Sequence, residues 1–382
     1  MTASDTDPFP EQALPSWRRA VLKVGSSLLA ADGGGLSDQY AAALAAFVRA
    51  SHAAGREVVV VSSGAVAAGR AILHATPVPG APMAERQALA ALGQARLTGF
   101  WQGFFERPVA QVLLTHDDLR NRRRYLNARA TLTALLRHGA LPVVNENDTV
   151  SVDELKLGDN DNLAAIVAAL VDADVLFIAT DIDGLYDADP RIEPHARPMP
   201  VVAKMSASLL SVAGGAGSAV GTGGMRTKLE AAQRAASAGV ATVLFNGRRA
   251  DVLEGLSHDR LRGTRIHPLR TRMAARKHWL QNAPAEPGGI LVDAGAANAM
   301  VEKGASLLPG GVLKAEGQFR RGDLVTIALL DGDDRTPIAR GVTQYSADDI
   351  RRLARRHSRD IEATLGYTYG ETVVHRDDLV LV

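Results

Sequence analysis

From residue 17 to about residue 247 the chain alternates short β-branched runs with longer Ala- and Leu-rich stretches, and this alternation limits its fold more than any other feature. AVLKVGSS (20–27), EVVVVSSGA (57–65), VAQVLLT (109–115), ALPVVNEN (140–147), DVLFIATD (174–181) and VATVLFNG (240–247) read as strands. Residues 38–53, 84–106, 124–139 and 162–173, and the stretch that follows GTGGMRTK (221–228), read as helices. Most of the strand runs are continuously apolar, as strands buried on both faces are. Strands that alternate with helices imply βαβ units, and so an α/β, doubly wound, mainly parallel sheet covered on both faces.

The pattern changes near residue 270. APAEPGG (283–289) marks a boundary, and beyond it come shorter, glycine-punctuated strands: GILVDAG, GVLKAEG, DLVTIALLDG and PIARGVTQY. One Arg-rich helix at about 347–357 closes what reads as a small β-rich domain. The expected organisation is therefore a loose tail over residues 1–16, a main domain over 17–272, a linker over 273–287 and a small domain over 288–382.

Lys plus Arg number 43 against 42 Asp plus Glu, so bulk charge gives no reason to expect nucleic acid or an acidic membrane as the main partner. There is no cysteine, which excludes disulfides, thiolate metal sites and Cys nucleophiles. The opening MTASDTDPFPEQALPS lacks the apolar centre of a signal peptide, and no apolar run approaches the ~18 residues of a membrane span. A cytoplasmic setting is the expectation.

In a doubly wound sheet, ligands bind beyond the carboxyl ends of the strands. Here those ends are unusual: KVGSS, SSGAVAAG, NENDTV and TDIDGLYDADP follow strands, and KLGDNDN opens a helix. Each alone also reads as an ordinary turn, Asx motif or N-cap. Lys23 sits in an otherwise apolar strand end, where an ammonium is costly unless an anion meets it. Lys228 follows three glycines at a helix start, where backbone N–H groups also favour an anion. The two lysines either converge on a polyphosphate or snorkel to solvent. The chain lacks the GK[ST] of a Walker loop and a GxGxxG at the first strand turn, which leaves a phosphate site of another design.

Taken in order, VLKVGSS, VVVVSSGAVAAGR, LNARATL, LPVVNENDTV, GDNDNLAA, ATDIDGLYDADPR and GTGGMRTKLEAA make the chain resemble the glutamate 5-kinases of the amino-acid-kinase fold. SLLPGGV, FRRGD and IARGVTQYSADDIRRL resemble the PUA domain attached to bacterial members. The resemblance runs from about Arg19 to the C-terminus. It implies that ATP, with Mg²⁺ carried on its phosphates, is held by Lys23, Gly25, Thr180 and Asp181, and by the loop Thr222, Gly223, Gly224, Met225, Arg226, Thr227 and Lys228. It implies that L-glutamate is held by Ser63, Gly64, Asp148 and Asn160, with Asn145 and Asp159 nearby. Lys23, Asp161 and Lys228 become the catalytic candidates, Asp161 orienting both lysines. Arg226 stands where some members carry serine, an extra cation beside the nucleotide loop.

The implied reaction moves the γ-phosphoryl group of ATP to the glutamate side-chain carboxylate. That carboxylate, with a pKa of about 4.3, is already ionised at neutral pH, so no general base is required. Asp148, Asn145 and Asn160 suit an α-ammonium group, which favours free glutamate over UMP or N-acetylglutamate. The resemblance also implies the first step of proline synthesis, proline as inhibitor, glutamyl-phosphate reductase as the next enzyme and a homo-oligomer. Two other readings stand beside it. Arg320, Arg321 and RRLARRHSR (351–359) form an RNA-binding strip of the PUA-like domain, or the chain senses an amino acid without turnover.

Overall fold

The computed structural model describes residues 7–30, 35–74, 81–151, 160–193, 195–206, 209–210, 224–282 and 288–382. The chain divides into two compact units, one of residues 1–120 and 127–272 and one of residues 121–126 and 273–382.

The first unit is built on an eight-stranded sheet. Its order is Val109–Leu114 (β4), Leu141–Glu146 (β5), Glu57–Ser62 (β3), Arg19–Val24 (β2), Val175–Thr180 (β6), Ala241–Asn246 (β8), Thr264–Ile266 (β10) and Val201–Val202 (β7). Neighbours run parallel except β8 and β10. The chain leaves β2 toward β3, β4 and β5 on one side and resumes with β6 and β8 on the other, so the order reverses between β2 and β6. A doubly wound sheet presents its ligand crevice at such a reversal.

Strand residues alternate between the two faces. Ala20, Leu22 and Val24 of β2 join the core formed with Asp38–Ala53 (α1) and Met83–Gln102 (α3), where Phe177 meets Trp17 and Phe47 edge-on at 5.5 and 5.3 Å. Val21 and Lys23 face the other way, toward Asn160–Leu170 (α6), which also packs on Met225–Ser237 (α7). Period two thus delivers Lys23 to the side where two helices begin. Ala65–Leu73 (α2) crosses α3 at very close range: a Cβ at Gly69 would lie 1.9 Å from the Leu89 carbonyl oxygen, and one at Gly93 1.8 Å from that of Ala65. Only glycine fits at either position.

Residues 7–16 correct the expectation of a loose tail. Gln12–Ala13 (β1) pairs antiparallel with Arg260–Leu261 (β9), and Phe9, Leu14 and Trp17 are buried. Apolar anchors between polar residues tie the segment down, a pattern that its Pro- and acid-rich composition conceals. His116–Arg120 (α4), Arg122–Arg137 (α5) and Ala250–Ser257 (α8) complete the helices named here for this part of the chain.

The second unit holds a five-stranded sheet in the order Val312–Gly317 (β12), Gly288–Val292 (β11), Leu324–Asp331 (β13), Asp334–Thr343 (β14) and Val374–Leu381 (β15). Ile290, Val292, Phe319, Val325, Ile327 and Tyr345 centre its core. The expected helix is there as Ala347–Leu353 (α11), but it is not alone. Arg272–Asn282 (α9) occupies most of the stretch read as linker, and Ala294–Lys303 (α10) and Ile361–Leu365 (α12) are helical as well. Among the described residues no helix is long and apolar enough to cross a membrane.

Candidate active site

Asp161 lies in the first turn of α6 and is fully buried, a costly place for a carboxylate without partners. It has two ammonium groups. Lys23 Nζ stands 2.5 Å from Oδ1 and Lys228 Nζ 3.3 Å from Oδ2. Thr227 Oγ1 adds a contact of 3.1 Å to Oδ2. The helix start favours the negative charge, and one carboxylate fixes the direction of two otherwise flexible lysines. Both lysines are buried, so the snorkelling alternative does not describe them.

Backbone frames this cluster. Gly25 turns the chain from β2 into a short 3-10 turn, Ser26–Leu28, and a Cβ at Gly25 would lie 3.5 Å from Lys23 Nζ. Gly224 caps α7 with extended backbone and no side-chain cap, and Met225 begins the helix. Such a helix start offers N–H donors to an anion. Thr180 is buried at the end of β6, and Asp181 beyond it lies 3.8 Å from Arg248. Arg226 is exposed and points along the helix surface to Glu230, at 2.9 Å. Thr222, Gly223 and Asp159 lie outside the described residues.

A second cluster joins the ends of β3 and β5 to the first residue of α6. Asn160 Nδ2 donates to Ser63 Oγ at 2.7 Å and lies 3.0 Å from Asn145 Oδ1. Asn145 Nδ2 in turn donates to Gln94 Oε1 at 2.9 Å. Gly64 enters α2 at φ +114, a left-handed conformation that favours glycine, so Ser63 can stand at a sharp turn. Asp148 sits partly buried in the turn of residues 148–150 beyond β5.

Gln94 went unnoticed in the sequence, although a signal was present. It occupies the buried stripe of α3 with Ala90, Gly93, Leu97 and Trp101, and a polar side chain at a core position needs a partner. The same holds for Ser62, whose Oγ accepts from Trp101 Nε1 at 2.9 Å.

In the second unit the pair Arg320–Arg321 divides: Arg320 is exposed, whereas Arg321 is buried with its guanidinium 3.7 Å from the Tyr369 ring centroid. In the run 351–359, Arg351 donates to the carbonyl oxygens of Ala315 and Gly317, and Arg352 to that of Thr364. These two serve local structure rather than an open basic strip.

The chain has relatives among known proteins. The amino acid kinase family matches residues 18–246, and the PUA domain matches residues 288–365. A glutamate 5-kinase of Xanthomonas campestris pv. campestris (strain 8004) is 73% identical over 362 residues, 95% of this chain and 100% of that protein. A glutamate 5-kinase of Xylella fastidiosa (strain M23) is 68% identical over 375 residues, 98% of each chain.

Proposed function

Since the chain belongs to the amino acid kinase family, with glutamate 5-kinases as relatives along nearly its whole length, we propose that it transfers the γ-phosphoryl group of ATP to the side-chain carboxylate of L-glutamate. The products are L-glutamyl 5-phosphate and ADP. The observation that carries this reading is the convergence of Lys23 and Lys228 on Asp161 at the carboxyl edge of the sheet.

A carboxylate oxygen forms the new bond to the γ-phosphorus as the bond to the β–γ bridging oxygen breaks, and no proton moves. What the chain must supply is alignment of two anions and compensation of charge on the phosphoryl oxygens. Lys23 and Lys228, held by Asp161, meet that charge, and the starts of α6 and α7 add backbone donors. Thr180, Asp181 and the segment 222–228 hold the nucleotide. Mg²⁺ enters on the ATP phosphates and offsets part of their charge. Ser63, Gly64, Asn145, Asp148, Asp159 and Asn160 hold glutamate, with Asp148 facing its α-ammonium group.

The reading extends to the first step of proline synthesis from glutamate in the cytoplasm, with proline as feedback inhibitor. It further includes a homo-oligomer and glutamyl-phosphate reductase as consumer of the acyl phosphate. A second role, RNA binding by residues 288–382, draws support from Arg321 stacked on Tyr369 and from the partly exposed Tyr367 beside it, 5.3 Å ring to ring.

A hydroxylamine trap tests the main reading, with Mg-ATP and L-glutamate beside aspartate, N-acetylglutamate and UMP. Glutamate-dependent hydroxamate and ADP are expected, and Lys228→Ala should lower kcat by about two orders of magnitude. Turnover with UMP alone would move the substrate.

A further inference from the structure

The segment of residues 7–13 is bound to one particular loop. Gln12 Nε2 donates to the carbonyl oxygens of Pro200 and Gly263, each at 3.0 Å, which fixes the segment beside the starts of β7 and β10. Upstream, Phe9 is 1% exposed, and its ring stands edge-on to Tyr186 with centroids 5.3 Å apart. Gly184 leaves room for that ring, because a Cβ there would lie 2.7 Å from its Cε1 and Cζ. Asp7 reaches Arg249 at 2.7 Å, and Arg249 lies 3.7 Å from Asp183. Asp183 also accepts from Asn246 at the end of β8, at 2.9 Å.

Two direct contacts therefore fall on Gly184 and Tyr186, and a third reaches Asp183 through Arg249. That loop starts at Asp181, directly after Thr180, two of the residues assigned to the nucleotide. The loop has anchors of its own, since Leu185 is buried, donates its N–H to Thr264 Oγ1 at 2.8 Å and accepts from the Met199 N–H. The strap adds contacts at Asp183, Gly184 and Tyr186, and a ligand binds only the competent fraction of a loop's conformations. We infer that residues 7–13 are a positioning strap that holds the loop 181–187 in the form that receives ATP. The inference rests on the nucleotide site proposed above. Phe9 acts through the loop and does not touch the substrate, and Gly184 is its counterpart on the loop side.

The test uses the full-length chain. Phe9→Ala removes the ring, Gly184→Ala presses a methyl against it and against Thr264 Oγ1, 2.8 Å away, and Asp7→Asn loosens the strap without opening the core. Steady-state ADP formation gives KM for Mg-ATP and for glutamate, and amide hydrogen exchange without substrates reports on the loop. Phe9→Ala and Gly184→Ala should each raise KM for ATP roughly three- to tenfold, with kcat and KM for glutamate within about twofold. Exchange should quicken over 181–187 and stay unchanged over 57–62. The double variant should fall short of the product of the two single effects, since both act on the Phe9 contact. An unchanged KM for ATP, or equal rises in both KM values, overturns the strap. Should Phe9→Ala fail to fold, Asp7→Asn decides alone by the same two readings. If the wild-type chain forms no ADP, the proposed activity fails, and the exchange comparison still shows whether the strap orders the loop.

Discussion

Lys23 and Lys228 reach Asp161 from a strand and a helix start, whereas Ser63, Asn145, Asn160 and Gln94 meet one step away with no formal charge among them. The two halves share α6, for Asn160 and Asp161 are adjacent. The difference follows from what each half must do in the proposed reaction. Charge held rigidly in a dry site stabilises phosphoryl oxygens whose charge redistributes in the transition state. Neutral amides carry little of that load, but their fixed donors and acceptors set where a substrate sits. The lysine half should accordingly govern kcat and folding together, and the amide half should govern affinity for the acceptor.

Asp161→Asn tests the first half most severely. It keeps the shape and leaves two buried ammonium groups facing a neutral amide, and breaking a buried ion pair on one side costs about 3–5 kcal/mol. A thermal melt should show a large loss of stability, and kcat should fall by more than the 100-fold expected of Lys228→Ala. A variant with wild-type melting and a changed KM alone would erase the distinction between the halves.

Gln94→Leu addresses the second half at smaller cost. It leaves Asn145 Nδ2 without its acceptor, a penalty of about 1–3 kcal/mol. KM for glutamate should rise roughly tenfold while KM for ATP stays within about twofold. Gln94→Glu, which keeps an acceptor oxygen, should recover much of the difference. A matching rise in both KM values would show Gln94 to be general packing.

These two residues also show what the sequence makes legible. The lysines stand out because charge in an apolar strand end or a glycine-led helix entry demands a reason, whereas Asp161, a carboxylate of ordinary kind for a helix start, enters through the resemblance. Gln94 is fainter: its place on the buried stripe of α3 calls for a partner, but that partner lies 51 positions away and nothing local names it. At the level of fold, the alternation of strand and helix is readable because each run is long and periodic. The helix Ala294–Lys303 is not, as it is short and glycine-containing; its cue is Asp293, whose side chain accepts from the Ala296 N–H at 2.7 Å. Strand β15 hides for a related reason: His375, Arg376, Asp377 and Asp378 interrupt its apolar run.

A pH titration separates both halves of the site from the rest of the unit. His52 of α1 is lowered from 6.5 to about 4, first by burial and then by the Arg107 charge. The folded state therefore refuses a proton that the unfolded chain accepts. Stability should be unaffected by this group above pH 6.5, fall as pH drops from 6.5 toward 4, and level off below that. His52→Gln should flatten the melting temperature across that window without altering either KM. A shift in KM for ATP or glutamate would mean that α1 feeds into the site.

Arg226→Ser should have the smallest effect and marks the border of the lysine half. By sequence Arg226 belongs there, next to Thr227 and Lys228 in the loop proposed to hold the nucleotide. By contact it does not, because its guanidinium pairs with Glu230 one turn along an exposed helix face. Such pairs contribute about 0.3–0.5 kcal/mol, so KM for ATP should stay within about twofold and melting should barely move. Glu230→Gln supplies the companion measurement: releasing Arg226 from its partner frees it to swing toward the phosphates. If KM for ATP falls in that variant and rises in Arg226→Ser, the guanidinium takes part in nucleotide binding and the lysine half extends onto the helix surface. If neither moves, Lys23, Asp161 and Lys228 mark the limit of the charged half.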